Sequence, residues 1–420
     1  MSALERRLPS SAPYGGGLPP QLEISFVEFV ALTAALMAMT ALSIDIMLPA
    51  LPAIGKALGV STENDQQLVV IVYMAGFAFG QLFYGPLSDH FGRKPVLMMG
   101  LAIFVIGTVG ALVSGSFYAL LAARLVQGIG AASPRVVAIA IVRDLYSGRH
   151  MARVMSFTMM VFIIIPVFAP SIGQALVHLG DWRWAFYGLL FMGLAVTLWA
   201  AFRLPETATA ALDSGSPRSL WRSFKAVVMH PQTMAYGVSS GLMFGCLLAY
   251  VASAQQVFVE IFKLGDMFPI AFGAVASTMA VASFVNSRLV EGMGMRRVSH
   301  TALVAFVAVA LMLAGAARLG VASLPVFCVL VASAFFLFGM IAPNFNALAM
   351  EPQGRHAGMA SSVIGSLSTA VGALAGGFVG HAFDGTVLPL AAGFAGCSLA
   401  TLSIVLLVEG QAGLFGRNRV

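Results

Sequence analysis

The chain is a series of apolar runs separated by short polar or Pro/Gly-containing breaks. Twelve such runs are distinguished, near 27–48, 66–87, 95–114, 117–141, 151–178, 184–203, 232–256, 267–287, 298–317, 323–343, 356–382 and 386–408. About 20 apolar residues in a helix cross the hydrocarbon core of a bilayer, and these runs lack the alternation of apolar and polar residues that a membrane β-strand needs. The pattern therefore predicts an all-α integral membrane protein with twelve transmembrane helices.

The composition excludes an ordinary soluble enzyme. Of 420 residues, 59% are hydrophobic and only 10% are charged, whereas an average soluble domain has roughly 25% charged residues. The three cysteines, Cys246, Cys328 and Cys397, lie inside apolar runs, so neither a disulfide framework nor a metal site is indicated.

Basic residues concentrate on one side of the predicted membrane. The two tails and the connections that follow even-numbered runs carry 17 of the 23 lysines and arginines, and the other connections carry four. By the positive-inside rule, both termini are predicted to be cytoplasmic. This distribution accounts for the net charge of +6 without a nucleic-acid partner. The remaining two basic residues, Arg124 and Arg135, lie inside the fourth run.

The connections divide the chain into two halves. The longest connection, 204–231, holds three prolines and much basic charge and is predicted to be a cytoplasmic linker between bundles 27–203 and 232–408, with tails at 1–26 and 409–420. The second-to-third connection (Asp89, Gly92) and the eighth-to-ninth connection (Glu291, Gly294) both place an acid three residues before a glycine. This repeat predicts two pseudo-symmetric six-helix bundles that arose by duplication.

The chain resembles the major facilitator superfamily, whose paired six-helix halves are a known architecture. The segment Gly85-Pro-Leu-Ser-Asp89-His-Phe-Gly92-Arg93-Lys94 looks like its signature loop. Within that superfamily, the chain is similar to Bcr/CflA-type drug:proton antiporters in three further segments: Asp45-Ile-Met-Leu-Pro49-Ala-Leu-Pro52, Arg124-Leu-Val-Gln127-Gly128-Ile-Gly130-Ala131 and Ala169-Pro170-Ser-Ile-Gly173.

The resemblance implies a bacterial inner-membrane transporter that works by alternating access, uses a proton gradient and needs no cofactor. Two departures from the family pattern matter. The fifth run has Ala169-Pro170 and Gly173-Gln174 where the family usually has Gly-Pro and Gly-Gly. Arg135 adds a second cation to the fourth run, which favours anionic or zwitterionic compounds.

Asp45 and Arg124 are the predicted proton-coupling residues. A carboxylate inside a membrane segment is costly unless it is paired or protonated, so it indicates function by default; the alternative is that Asp45 caps the turn leading to Pro49. Arg124, Gln127 and Arg135 recur at helical spacing and lie on one face of the fourth helix. Arg124 matches Asp45 in depth, so we expect the two to pair, although a structural tether explains Arg124 equally well.

The signature loop contributes the predicted cytoplasmic gate, formed by Gly85, Asp89, Gly92, Arg93 and Lys94. Glycine permits a tight turn, and the acid is expected to accept hydrogen bonds from the N–H groups of a neighbouring helix end. The alternative is that the basic residues only set the topology.

Pro166, Pro170 and Gly173 in the fifth run are predicted to soften the helix for gating, because proline removes backbone donors. Packing alone is the alternative. The predicted substrate cavity uses aromatic and polar side chains inside the helices, namely Tyr73, Gln127, Arg135, Tyr250, Gln255, Phe336 and Asn344.

No enzyme signature survives inspection. Gly237-Val-Ser239-Ser-Gly241 matches a nucleophile-elbow pattern but lies within an apolar run, and no phosphate-binding loop or HExxH motif occurs. We therefore expect a monomeric, lipid-embedded transporter that exports small hydrophobic or amphipathic compounds, including drugs, in exchange for protons. The alternative is a transporter dedicated to one endogenous metabolite, by export or uptake.

Overall fold

The computed structural model describes residues 25–60, 62–146, 148–207 and 217–413, and no β-strand occurs in these ranges. Within the described ranges the helices are α1 (Phe26–Asp45), α2 (Leu51–Ala57), α3 (Leu68–Phe91), α4 (Arg93–Leu112), α5 (Phe117–Leu145), α6 (Gly148–His178), α7 (Arg183–Arg203), α8 (Pro217–Val228), α9 (Pro231–Gln255), α10 (Phe268–Met293), α11 (Met295–Arg318), α12 (Leu324–Met350), α13 (Ala357–His381) and α14 (Leu388–Gly413).

Twelve of these helices correspond to the twelve apolar runs. Eleven are long and apolar enough to cross a bilayer, judged on the described residues. The twelfth, α6, has 31 residues and matches the fifth run. The predicted all-α membrane fold with twelve transmembrane helices is confirmed.

Several helices extend past the apolar run that predicted them. Helices α3, α5, α10 and α12 continue to Phe91, Leu145, Met293 and Met350, several residues beyond the predicted ends. The end of an apolar run marks where contact with lipid is expected to stop. The backbone hydrogen bonds of the helix do not depend on lipid and continue into the polar region. All four extensions project on the same side of the molecule, where the signature loop lies.

The helices form two bundles with matching internal packing. The fourth transmembrane helix of each half packs against the second and third, as α5 does against α3 and α4, and α12 against α10 and α11. The first packs against the fifth, as α1 does against α6, and α9 against α13. The halves meet where α3 packs on α13 and α6 packs on α10. The second helix of each bundle thus contacts the fifth helix of the other, which is the arrangement expected of two pseudo-symmetric six-helix bundles.

The two ends of the molecule are named by what lies there. The linker face holds the start of α1 and the end of α7, joined by an ion pair between Arg203 Nε and Glu28 Oε1 at 2.7 Å. Helix α8 lies at the same end against α13, with Ser223 Oγ 3.1 Å from His356 Nδ1. The other end of the molecule is called the opposite face. It is formed by the other ends of the membrane-spanning helices, and Asn64 lies there. The predicted linker at 204–231 therefore contains a helix, while residues 208–216 and most of both predicted tails fall outside the described ranges.

The repeated motif forms the same turn in both halves. Gly92 between α3 and α4 has φ 96°, and Gly294 between α10 and α11 has φ 82°. Side chains with a Cβ rarely adopt this conformation, so glycine is required at both positions. The two glycines support the internal duplication that the sequence predicted.

Candidate functional site

Asp45 is the last residue of α1 and is 4% exposed. Among the described aspartates and glutamates, it is the only one that is buried. It makes no hydrogen bond or ion pair with any described residue. A carboxyl group in such surroundings is costly when ionised, so this position is the chemically most unusual one in the membrane-spanning part that the structure describes.

The first and fifth helices of the first half meet directly beside Asp45. A methyl group on Gly173 in α6 would come within 2.3 Å of the carbonyl oxygen of Ile46. Only glycine lets the two backbones approach this closely. The structure therefore brings together two segments that the sequence had marked separately, although the gating role of α6 stays a prediction.

The proline pair lies within one continuous helix. Helix α6 runs through both positions from Gly148 to His178, and Pro170 is buried. The side chain of Pro166 lies outside the described residues.

Arg124 is fully buried in α5 and uses its donors on two other helices. Its Nε donates to the Val69 carbonyl oxygen at 3.0 Å, one terminal nitrogen donates to the Ser43 carbonyl oxygen at 3.0 Å, and the other donates to Gln127 Oε1 at 2.6 Å. Its guanidinium carbon also lies 4.4 Å from the centre of the Tyr73 ring. Arg124 therefore ties α5 to α1 and α3.

The predicted ion pair between Arg124 and Asp45 is wrong for this conformation, because no such pair occurs within 4.0 Å in the described chain. Matching the two residues by depth ignored their directions around the helix axes. The guanidinium donates instead to the carbonyl oxygen of Ser43, two residues before Asp45. The geometry favours the tether interpretation of Arg124.

Two predicted cavity residues contact this tether, and their role in a cavity stays a prediction. Tyr73 and Gln127 are completely buried. Gln127 Nε2 donates to Thr108 Oγ1 at 2.8 Å, which extends the network to α4. Arg135, two turns further along α5 than Gln127, is only partly buried and lies with its guanidinium carbon 5.8 Å from the Phe77 ring centre.

The predicted cavity residues of the second half lie in separate places. Tyr250 is packed among aromatic rings, with ring centres 5.2 Å from Phe272 and 4.8 Å from Phe335. Asn344 donates to Asn286 Oδ1 at 2.7 Å.

Three of the predicted cavity side chains keep polar atoms available inside the protein. The hydroxyls of Tyr73 and Tyr250 and the Oε1 atom of Gln255 are buried without a hydrogen-bond partner. Buried polar groups are normally paired, so these three atoms are candidates for contacting a bound molecule. Phe336 is partly buried. A single cavity joining all seven predicted residues stays a prediction.

A charged cluster surrounds the signature loop at the linker face. Arg93 at the start of α4 bonds Asp89 and Ser88 at the end of α3, and its Nε donates to Asp144 Oδ2 at the end of α5, at 2.7 Å. Glu206, which follows α7, accepts hydrogen bonds from the backbone N–H groups of Arg93 at 2.9 Å and Lys94 at 3.1 Å.

The expectation that Asp89 accepts backbone N–H groups at a helix end is therefore wrong. The side chain of Asp89 is 55% exposed and bonds Arg93, while Glu206 supplies the acid at the N-terminus of α4. An acid at this end also stabilises α4, because its negative charge lies at the positive end of the helix dipole. The sequence did not reveal this role of Glu206, because the residue lies beyond α7, far along the chain from α4. Its only distinguishing feature in the sequence is its position after an apolar run.

The second half repeats this cluster. Arg296 at the start of α11 donates to Glu351 Oε2 at 2.7 Å and to Glu409 Oε1 at 3.0 Å. Tyr236 Oη donates to the same Glu409 oxygen at 2.9 Å. Each cluster thus joins helix ends within its own bundle and holds that bundle together as a unit. The acids were missed in the sequence because the repeat was sought only in the short connections.

Hydrogen bonds between the two halves are densest at the opposite face. Asn64 Nδ2 donates to the carbonyl oxygens of His381 at 2.8 Å and Phe383 at 2.7 Å, and Gln256 Nε2 donates to Asn64 Oδ1 at 3.1 Å. Gln67 also bonds Gln256. These contacts close the opposite face.

Towards the middle and the linker face, α3 and α13 continue to touch. Thr369 Oγ1 donates to Gln81 Oε1 at 3.0 Å, and Ser366 Oγ donates to the Ala78 carbonyl oxygen at 2.8 Å. A methyl group on Gly85 would lie 2.4 Å from Ser362 Oγ. Gly85 of the signature loop therefore lies at the contact between the halves, where its small size permits the approach.

Comparison with known proteins places this architecture in context. The family model of the Major Facilitator Superfamily matches residues 33–377. The chain is 33% identical over 359 residues to a bicyclomycin resistance protein homolog of Haemophilus influenzae, covering 83% of this chain and 87% of that protein. It is 31% identical over 344 residues to the multidrug resistance protein MdtL of Escherichia coli, covering 80% of this chain and 84% of that protein.

A solved structure shares the fold at low sequence identity. The xylose transporter XylE from Escherichia coli, in a partially occluded inward-open conformation, aligns with a TM-score of 0.70 at 10% identity over 94% of this chain and 99% of that protein. The likeness supports the arrangement of helices described above.

Proposed function

Because the chain belongs to the major facilitator superfamily and is a transporter of the Bcr/CflA type, we propose that it exports small hydrophobic or amphipathic compounds, including drugs, in exchange for protons. The observation that carries the proposal is its similarity, over four-fifths of its length, to proteins named for bicyclomycin and multidrug resistance. Both relatives are also covered over more than four-fifths of their own length.

Asp45 supports the proton-coupled part of the proposal. A side chain that carries protons across a membrane must be ionisable and shielded from bulk water. It must also become accessible to each side of the membrane in turn. Asp45 is ionisable and enclosed, and no described side chain neutralises it. Proton binding at Asp45 in one conformation and release in another would couple the gradient to the transport cycle.

The contacts between the halves support alternating access. The bonds at the opposite face, centred on Asn64 and Gln256, must break for that face to open. The clusters around Arg93 and Arg296 lie within single bundles, so each bundle can move as a unit. Gly85 and Ser362 mark where the halves would separate at the linker face.

We assign the linker face to the cytoplasm because of the excess of basic residues in the tails and the linker-face connections. Reporter fusions or cysteine labelling at residue 215 and at Lys56 test this assignment. Residue 215 is expected inside and Lys56 outside; the reverse pattern would contradict the proposed orientation.

A second candidate is a transporter dedicated to one metabolite with an anionic group. Arg135 favours it, because this second cation on α5 is only partly buried among the helices. A substrate that needs Arg135 should lose transport on Arg135→Gln, whereas transport of neutral amphipathic compounds should persist.

The test of export is uphill transport by purified protein in proteoliposomes. A panel of neutral, cationic and anionic amphipathic fluorescent compounds is offered with a pH gradient as the only energy source. The proposal expects accumulation of at least one compound against its gradient and its collapse when a protonophore is added. Transport that a protonophore leaves unchanged would contradict proton coupling.

A further inference from the structure

A groove opens between α10 and α11 near the linker face, with α12 as its floor. Helix α12 packs against both α10 and α11, whereas these two helices contact each other much less. The groove has a volume of about 140 Å³ and an apolar lining. Its lining includes Leu289 and Met293 of α10, Val298 and Ala305 of α11, and Leu337 and Met340 of α12. Leu289 and Met293 are exposed, so the groove is open to the surroundings of the protein.

The groove is present because α11 has no glycine at which it could closely approach its neighbours. In the first half, a methyl group on Gly130 of α5 would lie 2.2 Å from the backbone nitrogen of Phe104 in α4. In the second half, Gly339 gives α12 the same closeness to α10, since its methyl group would lie 2.7 Å from Ala282 Cβ. The single glycine of α11, Gly315, has no such atom within 4 Å. Helix α10 is therefore drawn onto α12, and space is left beside α11.

Each wall of the groove carries one arginine at the linker end. Arg288 directly precedes Leu289 on α10, and Arg297 directly precedes Val298 on α11. Both arginines are exposed, and neither forms an ion pair with a described residue.

The guanidinium of Arg288 is turned along α10 towards the middle of the molecule. Its central carbon lies 5.2 Å from the centre of the Phe284 ring, one turn before it. Glu291, the single acid of α10, lies in the other direction along the helix. Helix α11 contains no acid. The rim of the groove thus holds two unpaired cations against one carboxylate.

We propose that this groove binds an acidic phospholipid of the surrounding membrane, with one acyl chain on the apolar lining and the phosphate group between Arg288 and Arg297. An apolar cavity of about 150 Å³ can hold a benzene molecule, so the groove accepts roughly six carbon atoms of an acyl chain. Guanidinium groups bind phosphate oxygens through paired hydrogen bonds. Basic pockets between membrane helices are established sites for acidic headgroups. The inference goes beyond the proposed export and does not depend on it.

The charges at the rim select an acidic lipid over other apolar molecules. A phosphatidylcholine headgroup brings its own cation, which compensates the phosphate, so the two arginines gain little from it. A hydrophobic cation would be repelled by the arginines, and a neutral compound would not use them.

The expected preference follows from the two arginines. A basic residue near a membrane surface strengthens the binding of an acidic headgroup by about fivefold. Phosphatidylglycerol should therefore bind about 5- to 25-fold more tightly than phosphatidylcholine, with Glu291 keeping the ratio below the upper value. High salt should reduce this preference, because exposed charges are screened.

Native mass spectrometry of the full-length protein, stripped of lipid in detergent, measures this preference. Phosphatidylglycerol or phosphatidylcholine with identical acyl chains is added, and the dissociation constant of the first bound lipid is determined. The double variant Arg288→Gln/Arg297→Gln should bind phosphatidylglycerol as weakly as the parent binds phosphatidylcholine. Arg318→Gln, at the exposed opposite end of α11, is the matched control and should keep the preference of the parent.

Filling the groove tests the seat of the acyl chain separately. Ala305→Phe places a ring on the apolar lining and should weaken the binding of both lipids. Val304→Phe, at an exposed position of the same helix, is the matched control and should bind both lipids like the parent. In detergent without phospholipid both arginines are solvated, so the arginine variants should unfold like the parent, and a lost lipid then reports binding and not misfolding.

Three results would each overturn the inference: equal binding of the two lipids by the parent, a preference kept by the double arginine variant, or unchanged lipid binding in a folded Ala305→Phe protein. If Ala305→Phe leaves lipid binding unchanged but abolishes transport of neutral amphipathic compounds, the groove admits transported molecules and the lipid site is refuted. Lipid binding is measured without a gradient or a transported compound. A failure of proton coupling in proteoliposomes would therefore leave the lipid site standing, and loss of the lipid site would leave proton coupling standing.

Discussion

Replacing Arg124 by alanine should destabilise the protein strongly, because the structure uses this side chain to join three helices. The change removes donors to two backbone carbonyl oxygens and to Gln127. Hydrogen bonds between membrane helices contribute about 0.6 kcal/mol each on average, which gives roughly 1 kcal/mol for the two bonds that leave α5, to Val69 and Ser43. The side-chain oxygen of Gln127 also loses its donor, and a buried acceptor left without a partner costs about 1–3 kcal/mol. We therefore expect a loss of about 2–4 kcal/mol in the free energy of unfolding.

The assay is reversible unfolding in mixed micelles of a mild detergent and a denaturing detergent, followed by the fluorescence of the tryptophans. Arg124→Lys should recover part of the loss, because lysine keeps the charge but lacks the planar fork that reaches several acceptors. Arg288→Ala is the matched control: this arginine is exposed, and its removal should change stability by less than about 0.5 kcal/mol. An Arg124→Ala protein within about 1 kcal/mol of the parent would refute the tether, since the smallest expected loss is about 2 kcal/mol.

Two further predictions follow from the packing and the charges. Gly173→Ala should impair folding, because its new methyl group would lie 2.3 Å from a backbone oxygen and overpacking costs about 1–3 kcal/mol; Gly396→Ala, where nothing lies within 4 Å, should be neutral or stabilising in the same unfolding assay. Asp144→Asn should lower stability more than Asp89→Asn, because the side chain of Asp144 is 21% exposed in its pair with Arg93 whereas the side chain of Asp89 is 55% exposed. Equal losses would mean that solvent does not screen the pair between Arg93 and Asp89.

The sequence predicted the transmembrane helices well because hydropathy responds directly to lipid contact. The predicted first run, 27–48, corresponds to α1 at Phe26–Asp45, and the predicted sixth run, 184–203, corresponds to α7 at Arg183–Arg203. Helix ends in the polar region were less predictable, as the extension of α12 to Met350 shows. In the polar region the backbone hydrogen bonds determine where a helix ends, and they depend little on whether the residues are apolar.

Side-chain partners were harder to predict than side-chain depth. Depth follows from counting residues along a helix, and Arg124 does bond the backbone of Ser43, two residues before Asp45. Direction depends on how each helix is rotated against its neighbours, which one sequence does not reveal. For the same reason, Glu206 was not recognised as the acid at the start of α4, because this contact joins residues more than 100 positions apart in the chain.

If Asp45 carries the transported proton, substrate binding should release that proton from the purified protein. A pH indicator in weakly buffered detergent solution records this release. The parent protein should release protons, and so should Glu291→Gln, which changes an exposed carboxylate. Asp45→Asn should bind substrate without releasing a proton, because an amide does not titrate. Undiminished proton release from Asp45→Asn would place the coupling group elsewhere.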